Sequence, residues 1–170
     1  MIRDLAIMVM EIADVDMKIV VGEGYALGYN SKGKLSAELV IPKEYKCYYN
    51  ALDLIEELYG INIERSEVSD SIFAIAHEIG HYMEVANKRS LARLIHSVRT
   101  AKVEKAVDNA YAELMKLEFK LYCEGKEDEE LVESKRHECD IAYRLSPSEV
   151  FADKWAIEFI KANFPELIVG

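Results

Sequence analysis

The chain is predicted to fold as a mostly helical α+β protein, with a small N-terminal three-stranded sheet packed on a helix that carries the functional residues. Three observations lead there. Short β-like pieces occur only between residues 17 and 41. From residue 43 onward, apolar residues recur at helical spacing almost to the C-terminus. No Pro-, Gly- or Ser-rich linker divides the 170 residues, a length that one domain with a real core can use, so residues 1–170 read as a single domain.

In chain order, Ile2, Leu5, Ala6, Val9 and Ile12 share one face and predict a helix over 2–13. MKIVVG (17–22), YALGYN (25–30) and LSAELVI (35–41) read as strands separated by glycine-containing breaks, with NSKGK as a hairpin turn and Pro42 ending the last strand. The strand LSAELVI is expected to offer a free edge to an extended peptide. Helical spacing returns over 43–59 and stops at Gly60. The next helix is expected to start near SEVSDS, where Ser66, Ser69 and Asp70 can cap, and to run to about Asn87. Leu91, Leu94, Ile95, Val98, Val107, Tyr111, Leu114, Leu117 and Leu121 then sustain one long helix as far as CEGK. EDEELVESKRHECDIAYRL forms another, and SPSEVFADKWAIEFIKANF a last one opened by Ser146 with Pro147 at the first helical position.

Composition narrows the function. A formal net charge of −10 disfavours a phosphate-binding surface, so no nucleic-acid partner is expected. Asp4, Glu11, Asp14 and Asp16 interrupt the apolar N-terminus, and no run approaches the roughly 18 apolar residues of a membrane span. Cys47, Cys123 and Cys139 form no CxxC pair and are odd in number, which fits a reducing cytoplasm and argues against a cysteine zinc knuckle. The absence of Gln beside abundant Glu, Lys and Ile resembles the bias of heat-adapted proteins.

The chemistry concentrates in SIFAIAHEIGHYMEV, residues 71–85. At 3.6 residues per turn, His77 and His81 project from one face one turn apart, so both imidazoles can bind one zinc ion at about 2.0–2.1 Å. Glu78, about 100° around the helix from His77, can reach a water beside that ion without binding the metal. The plainer reading is a helix that contains HExxH by chance. A metzincin would carry Gly at 84 and His at 87, where this chain has Glu84 and Asn87, so that class is excluded. The remaining common plan takes a glutamate from a later helix, often followed four residues on by a carboxylate that orients a ligand histidine. EKAVD (Glu104 to Asp108) and EVFAD (Glu149 to Asp153) both qualify. Lys102 and Lys105 flank Glu104, as on a solvated face. Glu149 could instead close a capping box onto the Ser146 amide, but Phe151, Ala152, Trp155, Ala156 and Phe159 are available to bury it.

HEIGH followed by EVFADKWAIEFI resembles the gluzincin metallopeptidases, most closely the ImmA/IrrE-type peptidase domain. The resemblance implies that His77, His81 and Glu149 are zinc ligands, that Glu78 is the general base and that Asp153 orients a ligand histidine. It also implies a protein or peptide substrate, cleaved by metal-activated water. The glutamate helix stands 68 residues beyond His81, so 88–145 reads as a helical insertion. A zinc-binding regulatory or interaction module without turnover is the alternative.

Among the remaining residues, His137 is a candidate to stabilise the transition state, and His96 a lesser one, although a lone histidine is more often a surface or packing residue. Tyr45, Tyr48, Tyr49, Tyr82 and Tyr143 read as packing residues, an electrophilic role for one of them being the sharper alternative. The basic residues Lys88, Arg89, Arg93, Arg99, Lys102 and Lys105 and the acidic run Glu127–Glu130 with Glu133 read as solvated or mutually paired.

Overall fold

The computed structural model describes residues 1–30, 36–45, 51–86 and 90–169; at 29, 30, 36, 90–100 and 104 only the backbone is described. The chain divides into two compact units, residues 1–87 with 151–170, and residues 88–150. The α+β, mostly helical class predicted above is the observed one.

The first unit opens with α1 (Ile2–Ile12), which buries Ile2, Ala6, Val9 and Met10 on one stripe. Three strands follow, β1 (Lys18–Gly22), β2 (Ala26–Asn30) and β3 (Ser36–Pro42). Their order is β1-β3-β2, with β1 parallel to β3 (Val20 opposite Val40) and β2 antiparallel to it (Leu27 opposite Leu39). This corrects one expectation. LSAELVI is the central strand and has both edges paired, so among the described residues the outer strands of the sheet are β1 and β2. The NSKGK turn, apart from Asn30, lies outside the described residues.

Helix α2 is described from Ala51 to Tyr59. Residues 43–45, expected as its first turn, are not helical, and Tyr45 reaches forward to donate its phenol hydrogen bond to Asp70. Residues 46–50, including Tyr48 and Tyr49, lie outside the described residues. Helix α3 (Glu67–Ala86) is capped by Ser66, whose Oγ accepts from the Ser69 amide at 3.1 Å. It packs against α1, β2 and β3. Ile72, Phe73, Ile75, Ala76 and Ile79 are buried with Leu39 and Ile41 of β3, Ile55 of α2, and Ala156 and Ile160 farther down the chain. The C-terminal residues return to this core: the Glu64 amide donates to the Leu167 carbonyl at 2.8 Å and the Val169 amide to that of Asn62 at 2.9 Å.

The second unit contains α4 (Ser90–Glu124) and α5 (Glu129–Arg144), which pack on each other. Gly125, at φ 62°, turns the chain in the left-handed region, and the Lys126 amide donates back to the Leu121 carbonyl. Asp128 caps α5 by accepting from the Leu131 amide. Tyr111 donates to Asp140 and Arg136 pairs with Glu118 across the two helices. Helix α6 spans Pro147–Asn163, and its residues from Phe151 onward belong to the first unit. Among the described residues no helix is long and apolar enough to cross a membrane.

Candidate metal centre

Three features of α3 and α6 set the geometry. Successive turns of α3 present His77 and His81, and their Nε2 atoms lie 3.1 Å apart. Two nitrogens bound tetrahedrally to zinc at 2.0–2.1 Å would stand about 3.3 Å apart, so the pair already has nearly the spacing of two ligands. Second, Nδ1 of His77 lies 2.9 Å from Oδ1 of Asp153, which is fully buried on α6. A carboxylate beside Nδ1 favours the tautomer that carries its proton there, which leaves the Nε2 lone pair for a metal. The other Asp153 oxygen accepts from the Tyr59 phenol at 3.4 Å.

Third, Gly80 lets α6 approach. A Cβ at this position would sit 2.8 Å from the Ala152 Cα and 2.9 Å from its carbonyl oxygen, so only glycine permits this contact. The contact sets the register of α6 on α3 at Ala152 and Asp153, and Glu149 stands one turn before Asp153 on the same helix. One ligand atom each from His77, His81 and Glu149 lie within 4.8 Å of one another. Glu149 is buried, as is His77. Glu78, next to His77 on α3, is half-buried.

The capping-box role for Glu149 is not the one adopted. The Ser146 amide donates to the Tyr143 carbonyl at 2.9 Å, while Oε1 of Glu149 accepts from the Tyr143 phenol at 3.0 Å and Oε2 lies 3.8 Å from Nη1 of Arg144. This Tyr143 contact went unrecognised in the sequence, where Tyr143 read as a packing residue. Its position in the last turn of a helix, just before the Ser-Pro that opens the glutamate helix, is the one signal that could have singled it out.

His137 lies exposed on α5 and is not one of the grouped ligands. The side chains of Glu104 and His96 lie outside those described. Glu133 of the acidic run pairs with Arg136 on its own helix.

Two imidazoles and a carboxylate are a donor set suited to zinc, and the spacing of the imidazoles fits one ion without rearranging α3. Comparison with protein-family models, with curated proteins and with solved structures gives no significant match.

Proposed function

We propose that this protein is a cytoplasmic zinc-dependent endopeptidase. The observation that carries the reading is the His77–His81 pair at near-ligand spacing with the buried Asp153 carboxylate behind His77. A carboxylate placed there both orients the ring and raises its basicity, and a histidine in an ordinary helix has no need of it. His77, His81 and Glu149 would hold the ion. Zinc in such a set supplies Lewis acidity, which brings the pKa of water to near 7.

The chain's own residues do the rest. Glu78 takes the proton from the attacking water as it adds to the peptide carbonyl, then delivers it to the departing amine as the C–N bond breaks. The substrate would lie extended along the outer edge of β2, the edge strand that packs against α3, and gain main-chain hydrogen bonds there. Described cysteines without a disulfide, Cys123 and Cys139, suit a reducing compartment.

Metal analysis after dialysis tests the reading. The wild type should retain one zinc per chain, Glu149→Ala should lose it, and Glu104→Ala should keep it. Asp153→Ala should fall between, with affinity reduced about 10- to 100-fold. Glu78→Gln should keep both fold and zinc but cleave an unfolded protein substrate about 10² to 10⁴ times more slowly. A folded wild type that stays metal-free in the presence of zinc would refute the proposal.

A further inference from the structure

The geometry points to Tyr59 as a positioning residue that keeps the Asp153 carboxylate in line with His77, an inference that rests on the metal reading above. All three residues belong to the first unit. Tyr59 is the last residue of α2 and stands one turn after Ile55, which is fully buried in the same cluster as Ile72, Phe73, Ala76 and Ala156. Gly60, at φ 65°, then turns the chain in the left-handed region, and its amide donates to the Glu56 carbonyl at 2.8 Å. The helix therefore ends on the tyrosine, with the ring packed against the cluster and the hydroxyl 3.4 Å from Oδ2 of Asp153.

Asp153 has no exposed surface, and a carboxylate withdrawn from water must be met by donors. Oδ1 lies 2.9 Å from Nδ1 of His77, and Oδ2 accepts from the Tyr59 phenol. The χ2 torsion of an aspartate is broad, so the plane of the group follows what its two oxygens meet. A donor at Oδ2 restrains the rotation that would carry Oδ1 out of line with Nδ1. At 3.4 Å the phenol contact is longer than the usual O–H···O range, which ends at about 3.0 Å, so it supplies a modest part of the whole support. Burial works the other way, since a hydrogen bond in a low-dielectric setting is stronger than the same bond in water.

The three groups form a line in which each acts on the next. The phenol sets the carboxylate, the carboxylate favours the proton on Nδ1, and the ring then presents Nε2, 3.1 Å from Nε2 of His81. The plainer role is packing alone, a half-buried tyrosine whose hydroxyl meets a nearby acceptor. The two roles part at His77, because packing acts through the stability of the core and positioning acts through the ring nitrogens.

The test compares Tyr59→Phe with the wild type, with Asp153→Ala and with Tyr45→Phe, in the full chain. Tyr45 serves as the control because its phenol also donates to a carboxylate, Asp70, two turns before His77 on α3. The tautomer of His77 is read in the metal-free protein from long-range proton–nitrogen correlation spectra, at a pH where the imidazole is neutral. Zinc affinity is measured by competition with a chromophoric chelator. Tyr59→Phe should move His77 away from the Nδ1-protonated tautomer, part of the way to the state reached in Asp153→Ala, and should bind zinc about 3- to 10-fold more weakly. Tyr45→Phe should lower the unfolding midpoint and leave both readouts unchanged. A His77 tautomer that stays the same in Tyr59→Phe overturns the inference even where zinc affinity falls, because packing alone would produce that result. So does a tautomer shift of equal size in Tyr45→Phe, which general loosening of α3 would produce, and so does a shift in Tyr59→Phe without any loss of zinc affinity. A wild type that takes up no zinc overturns the metal reading instead, while the tautomer comparison still decides whether Tyr59 positions Asp153.

Discussion

The two units obtain their stability differently. Every member of the buried apolar cluster, from Ile2 through Phe73 and Ile79 to Ile160 and Leu167, belongs to the first unit. In the second, the described apolar side chains that are buried are Val107, Leu114 and Cys139, while Met115, Phe119 and Tyr122 stand 68%, 69% and 83% exposed on α4. One unit is held by burial, the other by a thin seam and polar contacts such as Tyr111–Asp140 and Arg136–Glu118. Burial raises the pKa of the Cys139 thiol and, together with the Asp140 hydrogen bond, pushes that of the Tyr111 phenol well above its usual range. The difference teaches where rigidity is needed. The helix bearing HExxH is enclosed by the core of the first unit.

The sharpest way to break this comparison is to remove one large side chain from each unit. Ile75→Ala, at a position with no exposure, should cost about 2–5 kcal/mol. Leu114→Ala should fall at or below the low end of that range, because its neighbours can close over a gap that already borders solvent. Chemical denaturation gives the two costs. Native-state hydrogen exchange adds the distribution, with the amides of 107–140 opening at lower free energy than those of 70–80. Equal costs and equal protection would mean that the second unit has a core comparable to the first.

The glycines extend the comparison. Gly80→Ala should destabilise by about 1–3 kcal/mol, since the new methyl meets the backbone of Ala152 and one of the two helices must move. Zinc affinity should fall with it, because Asp153 and Glu149 travel with α6. At Gly125 a Cβ meets nothing within 4 Å, so Gly125→Ala should cost only the left-handed backbone strain, about 1 kcal/mol, and leave the metal site unaffected. Stability and zinc titrations on the same two variants separate the cases. A loss of zinc in Gly125→Ala would refute that expectation.

How far the sequence could be read follows the range of the interactions. Helices α1, α3, α4, α5 and α6 were legible because their periodicity and their start signals, such as the Ser66 cap and Pro147 at the first helical position, lie within a few residues. The HExxH spacing is equally local. Strand order was not legible: nothing in LSAELVI reveals that it pairs on both sides, because that depends on where β1 and β2 fall. The start of α2 was misread because residues 43–45 have helical spacing, yet Tyr45 is drawn to Asp70, 25 residues on. Glu149 could be picked out by its company in EVFAD, but the contact of Gly80 with Ala152 joins two helices far apart in sequence. The Tyr143–Glu149 contact spans only 6 residues, but it depends on the corner at Leu145 and Ser146 that folds the chain back.

The smallest expected effect concerns the exposed stripe on α4. Met115, Phe119 and Tyr122 follow one another at helical spacing, and all three are open to solvent, so Phe119→Ser removes little that the folded chain has buried. Its stability should change by no more than about 0.5 kcal/mol. The measurement is most informative when repeated across protein concentration. If Phe119 is solvated, the small change is independent of concentration, and the helical unit stands as the weakly packed partner in the comparison above. A cost above about 1 kcal/mol that grows with concentration would show that another chain covers this face, since only association makes stability depend on concentration in this way. The seam at Val107, Leu114 and Cys139 would then be one part of a larger intermolecular core, and the contrast between the two units would hold for the isolated chain only.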